Sequence, residues 1–177
     1  MPAGFAAETA RLLGKAARAT SANRRGKAFE DLLCHLFGSI RGVRVARRNK
    51  KNPFRTEEID VALWNEKTRS AVPFLPWLIL AECKNWTSPV GSIDVSWFFQ
   101  KMQSRGVQLG ILFAAHGVTG DRQLVTEAQS IIARALASDR QILVLTADDV
   151  RGLRTPGGLV KLIKEKLCDL VVGATAL

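Results

Sequence analysis

The chain is short of several things that would settle its class at once. It has three cysteines, Cys34, Cys83 and Cys168, odd in number, widely spaced and without a CxxC pair. That excludes a disulfide framework and a structural zinc site, and leaves reduced thiols with packing roles. No run of about eighteen apolar residues occurs, and the opening MPAGFAAETARLLGKAARAT has no continuous apolar stretch, so neither a membrane span nor a secretory leader is expected. The reading is a cytoplasmic protein without membrane contact. Internal repeats, low-complexity tracts and a P-loop pattern are also missing. Gly117 and Gly120 ahead of Asp121 make an ordinary loop. The two histidines, His35 and His116, have no nucleophile in view.

Acidic residues are scarce in one region only. Residues 1–55 hold 13 Lys/Arg against 3 Asp/Glu, and the remainder holds 13 against 13, so the first third carries the whole net charge of +10. The densest part, RGVRVARRNKKNPFR, contains Arg41, Arg44, Arg47, Arg48, Lys50, Lys51 and Arg55 and no acid. Alone, such a cluster serves a solvated loop as well as a polyanion-binding face.

What is present suffices for a core. A chain of 177 residues with 47% apolar content fits one domain, divided here into an N-terminal helical segment (1–22), a core domain (23–155) and a C-terminal helix (156–177) that packs on the core or on a partner. Residues 5–19 are helix-prone despite Gly14. After the cap offered by TSAN, residues 23–37 set Phe29, Leu32, Leu33, Leu36 and Phe37 on one stripe, with Glu30 at its edge. VRVAR is expected as a short edge strand running into a basic loop. EEIDVALWN alternates as a strand, and Pro73 and Pro76 delay the next until Trp77. SIDVSWFFQKMQSR is a helix capped by Ser92, and LGILFAA is a buried strand. Asp121 to Ala137 is a helix with Leu124, Ala128, Ile131 and Ala135 on one face, and QILVL is the last strand. A final helix after Gly157-Gly158 carries Leu159, Leu162, Ile163 and Leu170. The order implies an α/β fold, a mixed β-sheet flanked by helices.

One stretch conflicts with simple burial. LILAECKNW begins as a buried strand and ends in Glu-Cys-Lys, where charges are costly unless paired or bound to metal. If this strand and EEIDVALW form a hairpin centred on residues 70–72, Asp60 stands opposite Glu82. Asp60, Glu82 and Lys84 then converge while Cys83 points the other way. A strand-end ion pair of little consequence would use the same residues. The apolar lead-in, the facing Asp and the helix-borne Glu30 together favour chemistry: two carboxylates suit a hard divalent cation, and the ammonium suits an activated water and a phosphate oxygen.

These residues resemble the D…ExK core of the PD-(D/E)XK, restriction endonuclease-like, nuclease superfamily, and most nearly its Mrr-like catalytic domains. The likeness runs from about Gly26 to Thr146 through GKAFEDLLCHLF, EEIDVAL, LILAECKNW and LGILFAAHGVT. It implies a restriction endonuclease-like sheet, with Asp60 and Glu82 as metal ligands, the Cys83 carbonyl as a further ligand and Lys84 as the catalytic lysine. Glu30 becomes an outer acid that orients a metal-bound water, and Gln100 a substrate contact. Ile59 stands where the family often has proline before the Asp, and no DNA-recognition module flanks the core.

The function expected is therefore a Mg²⁺-dependent (or Mn²⁺-dependent) DNA endonuclease, gripping the backbone through Arg41 to Arg55 and serving prokaryotic restriction or defence. The alternatives are a Holliday-junction resolvase or repair nuclease, and a catalytically idle nucleic-acid-binding module. Selectivity is left to DNA shape, a partner protein or a homodimer.

Overall fold

The computed structural model describes residues 4–51, 58–67, 72–121 and 126–173. Helices α1 (Phe5–Arg18) and α2 (Ala22–Gly38) lead into strands β1 (Val43–Lys51), β2 (Glu58–Asn65) and β3 (Leu78–Lys84). Then come α3 (Ser92–Ser104), β4 (Leu109–Ala114), α4 (Glu127–Ala137), β5 (Gln141–Leu145), α5 (Ala147–Arg151) and α6 (Pro156–Val172). The five strands form one sheet in chain order. β1–β2 and β2–β3 are antiparallel, while β3–β4 and β4–β5 are parallel. The hairpin expectation fixes the right register: Val61 pairs with Ala81 and Ala62 with Leu80.

Side-chain alternation along the strands sends apolar groups to both faces, so helices must cover both. On one face Val61, Leu63, Ile79, Ala81, Ile111 and Phe113 pack with α1, α2, α5 and α6. The stripe read in α2 is wholly buried, and Phe29 stacks on Phe113 with centroids 3.9 Å apart. On the other face Ala62, Leu80, Leu112, Ala114 and Ile142 pack with α3 and α4. Gly110 permits the close approach of α3, since a Cβ there would stand 2.7 Å from Phe98 Cε1 and closer still to Met102 Sδ. Buried Asn65 holds the chain before β3 by donating from Nδ2 to the carbonyls of Val72 (2.9 Å) and Leu75 (3.1 Å).

Four expectations need correction. The segment after VRVAR is not a basic loop, because β1 continues through Lys51 and keeps its ladder to Glu58. A bulge between Val45 and Arg47 makes this possible: Val43 and Val45 face the α2 side before it, and Arg48 takes that side after it. Ser92 does not cap α3 but begins it, with extended Gly91 at the N-cap. Thr155 caps α6, so Gly157 and Gly158 lie in its first turn. Helix α4 starts at Glu127 rather than Asp121, and Leu124 and Arg55 lie outside the described residues. Cys34, Cys83 and Cys168 are free thiols. No helix among the described residues is long and apolar enough to cross a membrane.

Candidate active site

The ladder between β2 and β3 stops at Val61–Ala81, whereas that between β3 and β4 continues to Lys84–Ala114. The strands part where the charged residues begin. Across the gap Asp60 reaches with its side chain, Oδ2 accepting from the Cys83 N–H at 2.7 Å. The N–H and C=O of a strand residue point the same way, so the Cys83 carbonyl also faces this gap. The Cys83 side chain turns to the α2 core, and burial pushes its thiol well up, which makes it inert.

Glu82 is only 8% exposed, yet it is charge-paired on both oxygens. Lys84 Nζ lies 3.3 Å from Oε1 and Lys101 Nζ 2.8 Å from Oε2. Lys84 also lies 3.3 Å from Asp94 Oδ1 and sits over the Trp86 ring, 4.9 Å from its centroid. Burial works against the Lys84 charge, but Glu82 and Asp94 outweigh it and hold the ammonium above its usual range. Lys84 is thus held as a cation between two carboxylates.

Sequence reasoning missed Lys101 and singled out its neighbour Gln100, which is exposed on a different flank of α3. A usable signal existed. Asp94 and Lys101 are seven residues apart, two helical turns, and so share one flank beside the buried Val95, Phe98 and Met102. Helix α3 descends antiparallel to β3, so Asp94 meets Lys84 and Lys101 meets Glu82.

Glu30 lies on the opposite face, held by Arg48 Nη2 at 3.3 Å and Asn49 Nδ2 at 3.2 Å. Arg48 also reaches Asp31 at 2.8 Å. The bulge in β1 has turned Arg48 inward, so an expected phosphate contact is engaged by two carboxylates. Arg44 stands 3.6 Å from Glu66 and Lys51 3.8 Å from Glu58. Arg41, Arg47 and Lys50 are exposed.

Asp60 feels the crowding. Burial, then repulsion from Glu82, push its carboxyl up from 3.8 to about 6, against the bond from the Cys83 N–H, and the charge of Glu30 adds to the rise. Above pH 6 the folded protein carries this charge at a cost. Between about pH 6 and 3.8 it binds a proton that the unfolded chain does not, so this group makes stability rise as pH falls through that window. Asp60→Asn should therefore stabilise the protein at pH 8 in EDTA and remove that pH dependence. Urea unfolding of both proteins at pH 5 and pH 8 would check this, and a less stable variant at pH 8 would contradict it.

The donors suit a hard divalent cation. Two carboxylates in conflict meet beside a backbone carbonyl that faces the same gap, and all are oxygen ligands. Among the described residues no three His, Cys, Asp or Glu side chains form a metal-holding group, so backbone, water or substrate oxygens would complete the shell.

The Mrr_cat family model, described as restriction endonuclease, matches residues 22–145 of the chain. No curated protein and no solved structure matches it.

Proposed function

Because the chain belongs to the Mrr_cat restriction endonuclease family, and so is a nuclease of the restriction endonuclease type, we propose that it is a metal-dependent DNA endonuclease acting in restriction of foreign DNA. The observation that carries this reading is the meeting of Asp60, Glu82 and Lys84 where β2 and β3 part.

Asp60 and Glu82, with the Cys83 carbonyl, would hold Mg²⁺ or Mn²⁺ there. When bound, such an ion polarises a phosphoryl oxygen and acidifies water. The protein's own part is electrostatic. Lys84, kept charged by Glu82 and Asp94, faces the negative charge that builds on the phosphoryl oxygens as the bond breaks. Lys101 fixes the Glu82 rotamer through its second oxygen. The Cys83 N–H fixes Asp60. Glu30, fastened by Arg48 and Asn49, stands behind as an acid able to orient water toward the gap.

Incubation with linear, supercoiled, single-stranded and four-way DNA in Mg²⁺, Mn²⁺, Ca²⁺ or EDTA tests the proposal. Cleavage is expected with Mg²⁺ or Mn²⁺ and not with EDTA. Calcium should support binding with little cleavage, since its longer and looser coordination misplaces the water. Undiminished cleavage in EDTA, or none on any substrate with Mg²⁺ or Mn²⁺, would overturn it.

A further inference from the structure

We propose that the cleft between α1 and α2 binds the phosphodiester backbone of the substrate beside the active site, an inference that rests on the nuclease reading for the identity of its ligand. The cleft encloses about 470 Å³ and is lined by Arg11, Lys15, Arg18, Ala19, Arg24 and Lys27. Five of the six are cations and none is an acid. Arg11 is paired with Glu8 at 2.7 Å and Lys15 with Asp31 at 3.6 Å. Among the described residues, Arg18, Arg24 and Lys27 have no carboxylate within 4 Å. Like charges gathered along one concave wall repel each other and raise the local potential, and a polyanion relieves both.

Two local features build the cleft. Gly14 lets the Arg18 guanidinium lie back along α1, where a Cβ would stand 3.1 Å from Nη1. The glycine that weakens this helix by propensity thus makes room for a cation. The second feature sets the location. Asn85, the residue after Lys84, donates from Nδ2 to the carbonyls of Ala16 and Arg25, each at 3.3 Å. The end of α1 and the start of α2 are thereby tied to the end of β3, so the cationic wall lies at the end of the strand that carries Glu82 and Lys84. The β1 cluster is engaged in part: Arg48 is held by Glu30 and Asp31, and Arg44 and Lys51 have acids close by, while Arg41, Arg47 and Lys50 are exposed. What sets the α1–α2 cleft apart is that its cations line one concavity, with no acid in the lining.

The test is a salt titration of binding with a fluorescent duplex oligonucleotide in EDTA, where no turnover occurs. The unaltered 177-residue chain is compared with the triple variant Arg18→Ala/Arg24→Ala/Lys27→Ala and with Arg44→Ala/Arg47→Ala/Lys51→Ala on β1. The cleft variant should flatten the slope of log K against log salt by about two to three units, roughly 0.9 per lost phosphate contact, and the β1 variant by less than about one. Arg24→Lys should retain the slope. Matched melting curves show that the substitutions act on binding rather than on folding. A slope unchanged in the cleft variant, or a larger change in the β1 variant, would overturn the proposal. So would calorimetric binding of inorganic phosphate alone that the cleft variant abolishes while the DNA slope stays intact, since that marks a small-anion site. Failure to cleave in any metal would overturn the nuclease reading and leave these slopes untouched.

Discussion

Glu82→Gln is expected to lower cleavage by about a thousand-fold or more under single-turnover conditions while changing DNA affinity little. The carboxylate is the hub of the site, bonded through one oxygen to Lys84 and through the other to Lys101. Glutamine keeps the shape but loses the charge, so it takes one carboxylate partner from each of two half-buried ammonium groups, leaving Lys84 only Asp94, and weakens any hold on a cation. Lys84→Met should cost a similar factor, because it removes the cation that meets the developing charge. If the residues act as a unit, the double variant should be scarcely worse than either single one. Lys101→Met should cost less, since Lys101 touches Glu82 and its loss frees a rotamer rather than a reacting group. Wild-type rates in Lys84→Met would remove the lysine from the mechanism.

Gly110→Val should be the most damaging substitution that introduces no charge. Its Cβ would overlap Met102 Sδ and stand 2.7 Å from Phe98 Cε1 and Cζ, in a layer with no slack. Overpacking of this kind costs about 3 kcal/mol or more, which for a chain of this size lowers the melting temperature by about 10 °C. Helix α3 must move outward to accept it, and α3 carries Asp94 and Lys101. Activity should therefore fall even well below the melting point. Shortening the opposing side chain, as in Gly110→Ala with Met102→Ala, should recover part of both losses. A Gly110→Val protein that melts and cleaves like the wild type would show that α3 is not clamped here.

Much of this was legible because local signals agreed with one another. The buried stripe of α2 and the alternation of β2 fix which faces turn inward, and the antiparallel pairing of β2 with β3 sets the register that leads Asp60 toward Glu82. The rest depended on features that periodicity does not carry. A single bulged residue in β1 turns Arg48 to the α2 side, which is how it comes to be occupied by Glu30 and Asp31. Lys101 belongs to the site because of the antiparallel path of α3 over β3, a tertiary fact. The cleft between α1 and α2 gathers cations from two helices whose charges look evenly scattered along the chain. Net charge located the basic third correctly, but it does not show that Arg48, within the densest run, is taken up by two acids.

The unequal ladders of β3 also bear on how the site breathes. Glu82 and Lys84 are sewn to β4 on one side, and on the other Cys83 between them is held by a single side chain, Asp60. β4 is buried along its whole length between β3 and β5. Amides that point toward it should exchange hydrogen only when the whole domain opens. The Cys83 amide is different. Its protection depends on one carboxylate, so its exchange rate in the folded protein reports directly whether Asp60 is docked. Within one strand, then, neighbouring amides act as two clocks: one timed by global unfolding, the other by the swing of a single acid.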